Sequence, residues 1–243
     1  MNIMTPLLAV RGISRRYSPR PEDEVLKQLD IDIMPGEILA IVGPSGVGKT
    51  TLLNILGLLD TPTSGTVTYE GKNAAYRGKD LLALSSRDQS RVRNRSLGFV
   101  FQLYHLLPDL SVLENVMLPA LMAADCLGWW SAKRASRKRA AAILDEVGIA
   151  DRSHARPNEL SGGERQRAAI ARALIAEPAV VFCDEPTGNL DTATGERIHK
   201  LLWRLNREHR TTLVLVTHDH ELAQKADRIL RMVDGRFVGG EQR

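Results

Sequence analysis

Residues 37–59 have the sequence EILAIVGPSGVGKTTLLNILGLL. An apolar run, EILAIV, is followed by a glycine-rich loop, and the loop is followed by apolar residues at helical spacing. The loop, residues 43–50, fits the pattern G-x-x-x-x-G-K-[ST] at every fixed position and lies between the strand and the helix that this motif requires. The sequence therefore predicts a phosphate-binding loop within an α/β fold.

The loop residues supply the groups that a triphosphate needs. Glycines let the backbone fold around a phosphate chain with its N–H groups pointing inward, and the following helix adds the positive end of its dipole. Lys49 would reach the outer phosphates as a point charge, and the Thr50 hydroxyl would bind magnesium. A glycine-rich turn with an accidental Lys-Thr pair is disfavoured because the flanking strand and helix patterns are both present.

A second candidate site follows the apolar stretch VVFC at residues 180–183. A strand this apolar is buried in a sheet, and its carboxyl end delivers the next residues to the ligand crevice of an α/β fold. Asp184 suits a magnesium ligand, and Glu185 would polarise the water that attacks the γ-phosphate. Alone, the two carboxylates would be solvated residues of a turn, but the phosphate-binding loop favours the functional interpretation.

The rest of the chain alternates between strand and helix patterns. β-type alternation dominates residues 7–42, and strands alternate with helical patterns after residue 160, which indicates strand–helix–strand units and a largely parallel sheet. Between them, Arg, Ala and Leu recur at helical spacing and predict a helical insertion at about residues 103–160. No repeat or long linker divides the chain, so we expect a single domain over residues 1–243.

Composition and the N-terminal sequence argue against a membrane-spanning protein and against a secreted protein. The chain is 43% hydrophobic, and its apolar runs are far shorter than the about 20 residues of a membrane helix, so no membrane span is predicted. The N-terminus lacks the pattern of a secretory signal, and Cys126 and Cys183 lack metal-site spacing. The balance of 33 Lys and Arg against 29 Asp and Glu is only mildly positive. We therefore expect a cytoplasmic protein.

A third motif, Leu160-Ser161-Gly162-Gly163-Glu164-Arg165-Gln166, lies between the two sites. Ser161 would cap a helix, and the two glycines would open its first turn to the close approach of an anion. The stretch resembles the signature sequence of the ATP-binding cassette (ABC) ATPases. Because all three motifs occur in the order of that family, a capped helix without a ligand is disfavoured. The resemblance covers essentially the whole chain.

The resemblance implies a P-loop NTPase (RecA-like) core with an N-terminal antiparallel β subdomain and an inserted α-helical subdomain. Tyr17 resembles the aromatic residue on which adenine stacks, although an aromatic at a strand end also serves packing. Gln102 resembles the Q-loop glutamine, residues 189–191 the D-loop, and His218 the switch histidine. The implied catalytic residues are Glu185, His218 and Lys49, and the implied magnesium ligands are Thr50, Gln102 and Asp184. The implied ATP contacts are Tyr17, Gly43, Pro44, Ser45, Gly46, Val47, Gly48, Lys49, Thr50, Thr51, Gln102, Ser161, Gly162, Gly163, Glu164 and Asp191.

The resemblance also implies cofactors and partners. In this family two ATPase domains meet head to tail, and each ATP with its Mg²⁺ is held between the phosphate loop of one and the signature motif of the other. We therefore expect a homodimer at the inner face of the cell membrane, with permease subunits docked on the helical subdomain. Residues 101–108, 113–116, 156–160 and 186–191 look most like the lipoprotein-releasing and macrolide-exporter branch. The expected function is to power export or extraction of lipoprotein, peptide or amphiphilic drug.

Several alternatives stay open. A cell-division ATPase that signals through a permease-like partner would have the same ATPase residues. A soluble ABC ATPase of nucleic-acid metabolism is disfavoured, because the stretch between Lys49 and Ser161 is too short for the long coiled coil of DNA-repair relatives, and we expect no nucleic-acid partner. Trp129 and Trp130, with Leu127, would contact a partner, the lipid interface or the helical subdomain itself. The basic residues between 133 and 139 would form a solvated helix face more readily than a lipid contact.

Overall fold

The N-terminal part of the chain forms an antiparallel sheet. The computed structural model describes residues 5–18, 23–123 and 129–242. Strand β1 (Leu8–Arg16) pairs with β2 (Glu24–Ile33) on one side and with β4 (Ser64–Tyr69) on the other, and the short β5 (Lys79–Asp80) extends the edge at β4. This is the antiparallel β subdomain that the resemblance implies.

A second, six-stranded sheet forms the centre of the molecule. Its order is β10-β9-β3-β8-β7-β6, and all neighbours are parallel except the terminal hairpin of β9 and β10. Strand β3 lies between β8 and β9, so the strand order reverses beside it, and ligands of open α/β sheets bind at such switch points. The strands are β3 (Ile38–Val42), β6 (Leu97–Phe101), β7 (Val180–Asp184), β8 (Thr212–Thr217), β9 (Arg228–Val233) and β10 (Arg236–Gln242).

The parallel sheet separates two hydrophobic cores. Alternate residues of its central strands face opposite sides: in β7, Val181 and Cys183 join one core, whereas Val180 and Phe182 join the other. The first core is shared with the helices of the insertion, and the second with the antiparallel sheet and helix α1. Because both faces are covered, the strands are continuously apolar rather than alternating.

The helices surround this sheet. The predicted insertion contains α3 and α4, which pack on each other and on α5. Ser111 and Ser161 begin α3 and α5 with capping boxes, in which the serine hydroxyl and a glutamate three residues later satisfy the first free backbone N–H groups. The helices are α1 (Lys49–Leu56), α2 (Ser86–Ser96), α3 (Val112–Met122), α4 (Trp129–Glu146), α5 (Gly162–Leu174), α6 (Thr192–His209) and α7 (His220–Ala223).

Two sequence predictions concern the surface of α4. Of the five basic residues predicted to form a solvated face, Lys133, Arg134, Arg137 and Lys138 are exposed, whereas Arg139 is partly buried and forms an ion pair with Glu177. Leu127 and the side chains of Trp129 and Trp130 lie outside the described residues, so their predicted contacts stay predictions. In the stretches that the structure describes, no helix combines the length and the apolar content of a membrane span.

Candidate functional site

The glycine-rich loop joins the end of β3 to the start of α1, at the carboxyl edge of the parallel sheet. Two of its glycines are required by space and by backbone conformation. A Cβ on Gly43 would lie 2.3 Å from the carbonyl oxygen of Met232. Gly48 has a φ of 103°, and a Cβ there would lie 2.8 Å from Leu26. The loop is therefore held tightly against β2 and β9 while its N–H groups stay available.

Lys49 curls back over this loop. Its Nζ donates to the carbonyl oxygens of Gly43, at 2.8 Å, and of Pro44, at 2.9 Å, and the residue is only 6% exposed. Among the described residues no carboxylate forms an ion pair with Lys49. A buried ammonium that is hydrogen-bonded to carbonyl oxygens and not to a carboxylate keeps its charge available for an anionic phosphate.

Thr50 and Asp184 bring the first two candidate sites together. The Thr50 hydroxyl donates to Asp184 Oδ1 across 3.1 Å, which joins the start of α1 to the end of β7. Burial raises the pKa of the Asp184 carboxyl, and the nearby Glu185 raises it further, whereas Thr50 and Lys49 lower it. A hydroxyl and one carboxylate are hard oxygen ligands, and Mg²⁺ typically uses one or two carboxylates together with substrate phosphates. The residues present therefore fit a magnesium ion brought in with a nucleotide.

Glu185 lies beside that pair in an unusual backbone conformation. Its φ is 46°, and its N–H donates to the carbonyl oxygen of Val216 on the neighbouring strand β8, at 2.9 Å. Its Oε1 is 2.8 Å from His218 Nδ1, and His218 follows the end of β8. A carboxylate in contact with an imidazole at this edge can accept a proton from an attacking water.

Gln102 contacts the D-loop rather than the candidate magnesium ligands. Its side-chain Nε2 donates to Asn189 Oδ1, at 3.2 Å, and Asn189 Nδ2 donates to the Gln102 carbonyl oxygen, at 3.0 Å. A Cβ on Gly188 would lie 2.8 Å from the Gln102 Nε2, so the glycine allows this approach. The side chain would have to rotate away from Asn189 to bind a metal ion.

The signature motif begins α5 and packs on the segment that leads into α6. The Ser161 hydroxyl donates to Glu164 Oε2, at 2.7 Å, and accepts from the Glu164 N–H, at 3.3 Å. Backbone and side-chain hydrogen bonds from Ser161, with help from Arg152, lower the pKa of Glu164. A Cβ on Gly163 would lie 2.6 Å from Thr194, one turn after Asp191, which caps α6. The Glu164 carboxylate is thus used in the helix cap. Its predicted effect on ATP would be indirect, because it positions Ser161.

Tyr17 lines a cavity that reaches the phosphate loop. The cavity has a volume of about 490 Å³ and is also bounded by Val25, Gly46, Val47 and Gly235. The ring is exposed, with the Arg15 guanidinium 4.3 Å from its centre, and the hydroxyl donates to Asp60, at 2.9 Å. An aromatic face beside a loop for phosphates is suited to stacking on a nucleobase.

Sequence reasoning missed the residues that support the loop after Glu185. Gln166 is completely buried and donates from Nε2 to the Pro186 carbonyl oxygen, at 2.6 Å. Thr187 Oγ1 lies 2.9 Å from Nε2 of the buried His199, and burial lowers the pKa of that imidazole. The available signal was a polar residue on the apolar face of each helix, but which loop it would meet depends on the packing of α5 and α6.

Comparison with known proteins assigns the chain to a family. The model of the ABC transporter family matches residues 26–188, about two thirds of the chain. The chain belongs to the ABC transporter ATP-binding family. It is 48% identical over 237 residues to the lipoprotein-releasing system ATP-binding protein LolD of Bordetella pertussis, with 96% of this chain and 95% of LolD covered. It is 46% identical over 230 residues to LolD 2 of Rhodopirellula baltica, with coverages of 94% and 88%.

Solved structures agree with this assignment. The dimeric structure of MJ0796, a bacterial ABC transporter cassette, has a TM-score of 0.82 and 37% identity, with 97% of this chain and 98% of that chain covered. A post-hydrolysis dimer of MJ0796 bound to ADP and phosphate has a TM-score of 0.83 and 36% identity, with the same coverages. The predictions of the P-loop NTPase fold, of an ATP-binding ABC ATPase and of its resemblance to the lipoprotein-releasing branch are confirmed. The protein is an ATP hydrolase.

Proposed function

We propose that the chain hydrolyses Mg-ATP in sites formed by two copies and thereby powers a lipoprotein-releasing permease. The observation that carries the catalytic part is the adjacency of two pairs at one sheet edge: Thr50 with Asp184, and Glu185 with His218. The first pair supplies oxygen ligands, and the second supplies a carboxylate and an imidazole beside them. The substrate and the permease are proposed from the names of the LolD relatives.

Each site residue receives a role. The backbone N–H groups of residues 45–51 cradle the phosphates, and Lys49 exchanges the carbonyls of Gly43 and Pro44 for the outer phosphates. Thr50, Asp184 and, after rotation, Gln102 would hold Mg²⁺, which when bound neutralises charge on the transferring phosphoryl group. Glu185 orients and deprotonates the attacking water, and His218 holds Glu185 and stabilises the developing charge. Tyr17 stacks on adenine.

The signature motif completes the site of the second copy. Ser161 would turn its hydroxyl proton from Glu164 toward an anion, the two glycines leave the helix N–H groups open to it, and Asp191 starts the neighbouring helix. The dimeric MJ0796 cassettes support this arrangement. ATP would then join the two copies, and loss of the γ-phosphate would loosen the interface.

The permease is proposed to dock on the helical subdomain near the loop that follows β6. Leu103 and Leu107 on this loop are 68% and 48% exposed, which is unusual for leucine side chains that are close together in sequence. The protein would lie at the inner face of the membrane through that contact. No nucleic-acid partner is proposed.

The variant Glu185→Gln tests the proposed site. It keeps the size of the side chain but cannot accept a proton, so ATP should still bind while turnover falls by at least about a hundredfold. With Mg-ATP the variant should accumulate as a dimer in light scattering, whereas without nucleotide it should be monomeric. Glu221→Gln, an exposed carboxylate in α7, is the matched control and should turn over normally. Normal turnover of Glu185→Gln, or a variant that stays monomeric in ATP, would contradict the proposal.

A further inference from the structure

Arg172, near the end of the signature helix α5, donates hydrogen bonds from its guanidinium to two backbone carbonyl oxygens. Its Nη2 donates to the Tyr104 carbonyl oxygen, at 2.7 Å, and its Nη1 donates to the carbonyl oxygen of His105. Burial lowers the pKa of this group, and among the described residues no carboxylate forms an ion pair with it. Arg172 is partly buried, and backbone carbonyls rather than a carboxylate are its partners, so the two bonds tie α5 directly to the backbone of the loop after β6.

The two carbonyls belong to a strained turn, in which the Tyr104 N–H donates to the Phe101 carbonyl oxygen, at 3.2 Å, and the His105 N–H to that of Leu103, at 2.6 Å. Tyr104 and His105 are consecutive residues in the left-handed region, with φ values of 59° and 49°, and neither is glycine. L-residues adopt this conformation rarely, and it persists only where surrounding contacts impose it. The planar fork of Arg172 matches two adjacent carbonyl oxygens, which a single-point donor would not.

A second contact comes from the beginning of the same helix. The Arg165 guanidinium lies 5.4 Å from the centre of the Tyr104 ring, and a Cβ on Gly162 would lie 3.3 Å from the Tyr104 hydroxyl oxygen. Arg165 and Arg172 are about two turns apart, so they share one helix face. The loop after β6 is therefore contacted by α5 from its first turn, beside Ser161, to its last.

The other end of this loop is Gln102, which faces the D-loop through Asn189. We propose that Arg172 is a positioning residue that clamps the loop at residues 102–108 to α5, so that Gln102 and the signature motif move as one body when ATP binds. The roles given to Gln102 and Ser161 here rest on the proposed function. Through this clamp, ATP bound at the phosphate loop of one copy would set the position of the same copy's signature motif. That motif in turn faces the ATP of the other copy.

The experiment follows a spin or fluorescent label on the loop. Leu103→Cys provides an exposed attachment point in a Cys126→Ser background, because Cys183 is fully buried and burial raises the pKa of its thiol. Glu185→Gln is included so that bound ATP persists. The label is compared in proteins with Arg172, with Arg172→Met and with Arg172→Lys, first without nucleotide and then with Mg-ATP.

Arg167→Met is the matched control. Arg167 is also on α5, burial also lowers its pKa, and it also donates to a carbonyl oxygen, that of Val147, at 2.6 Å, which follows α4 and is not part of the loop. Arg172→Met should increase label mobility without nucleotide and remove most of its response to ATP, whereas Arg167→Met should change neither. Arg172→Lys should give intermediate values, because an ammonium can satisfy one carbonyl but cannot fork between two.

Steady-state kinetics without the Glu185 substitution and the label adds a second readout, with kcat calculated per copy that binds a fluorescent ATP analogue, so that loss of folded protein alone does not change it. Arg172→Met should lower kcat on the order of tenfold through misplacement of Gln102 and the signature, with the affinity of the isolated copy for a fluorescent ATP analogue unchanged.

A label as immobile in Arg172→Met as in Arg167→Met, with the same response to ATP, would overturn the clamp. If the methionine variant does not fold, the same comparison is made with Arg172→Lys. If the Glu185→Gln protein with Arg172 intact fails to dimerise in ATP, the proposed function fails, while label mobility without nucleotide still tests the clamp.

Discussion

Nδ1 of His218 lies 2.8 Å from Oε1 of Glu185, and the two residues follow the ends of the adjacent strands β8 and β7. The contact depends on the left-handed backbone of Glu185, whose N–H is bonded to Val216 of the same neighbouring strand. The carboxylate is therefore aimed by β8 as well as by its own strand. In this arrangement Glu185 contacts the attacking water and His218 orients Glu185, so the two residues can be tested separately.

His218→Ala should lower kcat by about a hundredfold or more while KM for ATP changes little, because the imidazole orients Glu185 and stabilises charge that develops only in the transition state. Steady-state ATPase assays measure both parameters. His220→Ala removes an exposed histidine two residues away and should leave both unchanged. A variant that keeps the normal kcat would remove His218 from this role.

Shared sites predict complementation between two inactive variants. Lys49→Ala disables the phosphate loop and Ser161→Ala disables the signature, so each pure protein should have little activity. In a mixture, mixed dimers contain one site with an intact Lys49 and an intact Ser161, and activity should recover to about a quarter of the normal rate. Ser161→Ala should also cost about 1 kcal/mol of stability through the lost helix cap.

The control for complementation is Ser161→Ala mixed with a chain that carries both substitutions. No pairing of these chains restores a complete site, so the mixture should stay inactive. Sites contained within one copy would instead give no recovery in either mixture, and that result would contradict the shared site.

Without nucleotide and at neutral pH, the unsubstituted protein should be less stable than the Asp184→Asn variant. A carboxyl with a raised pKa binds its proton more tightly in the folded than in the unfolded state, so its contribution to stability falls as pH rises through the folded pKa. The melting temperature of Asp184→Asn should therefore exceed that of the unsubstituted protein at neutral pH, and the difference should shrink toward pH 3.8, the ordinary value for Asp.

Mg-ATP should reverse this order. Ligand binding stabilises the folded state, and the asparagine variant should lose the part of that stabilisation that depends on magnesium. Asp109→Asn, an exposed carboxylate, should show neither effect. A nucleotide-free Asp184→Asn that melts at or below the temperature of the unsubstituted protein at neutral pH would show that burial of this carboxyl is not destabilising.

Tyr17→Ala should weaken ATP binding roughly tenfold, the usual order for loss of one base-stacking ring. Tyr17→Phe should bind normally, since the hydroxyl is used for Asp60 rather than for the cavity. Titration with a fluorescent ATP analogue measures both affinities. Equal affinity of the alanine and phenylalanine variants would mean that the ring only packs against Arg15.

Much of the fold could be predicted from local pattern. The strand before Gly43 and the helix after Gly48 follow from residues adjacent in sequence, and so do the capping boxes of Ser111 and Ser161. Such features depend on backbone conformation and on neighbours within a few positions. The same holds for the buried strand that precedes Asp184, because an uninterrupted apolar run is already typical of a strand covered on both faces.

Residue identity and local pattern establish which chemical groups the protein has and which elements carry them: the phosphate loop, the acidic end of β7, the signature helix and the histidine that follows β8. Which of these groups contact each other depends on the tertiary structure. Thr50 meets Asp184 across 134 positions, Gln102 meets Asn189 across 87, and Arg172 meets Tyr104 across 68. Contacts at such separations depend on which strands become neighbours, and the chain order of β3, β6, β7 and β8 does not reveal that β3 lies between β8 and β9. Strand order is set by the burial of whole faces against helices, a property of the packed molecule that no single stretch of sequence contains.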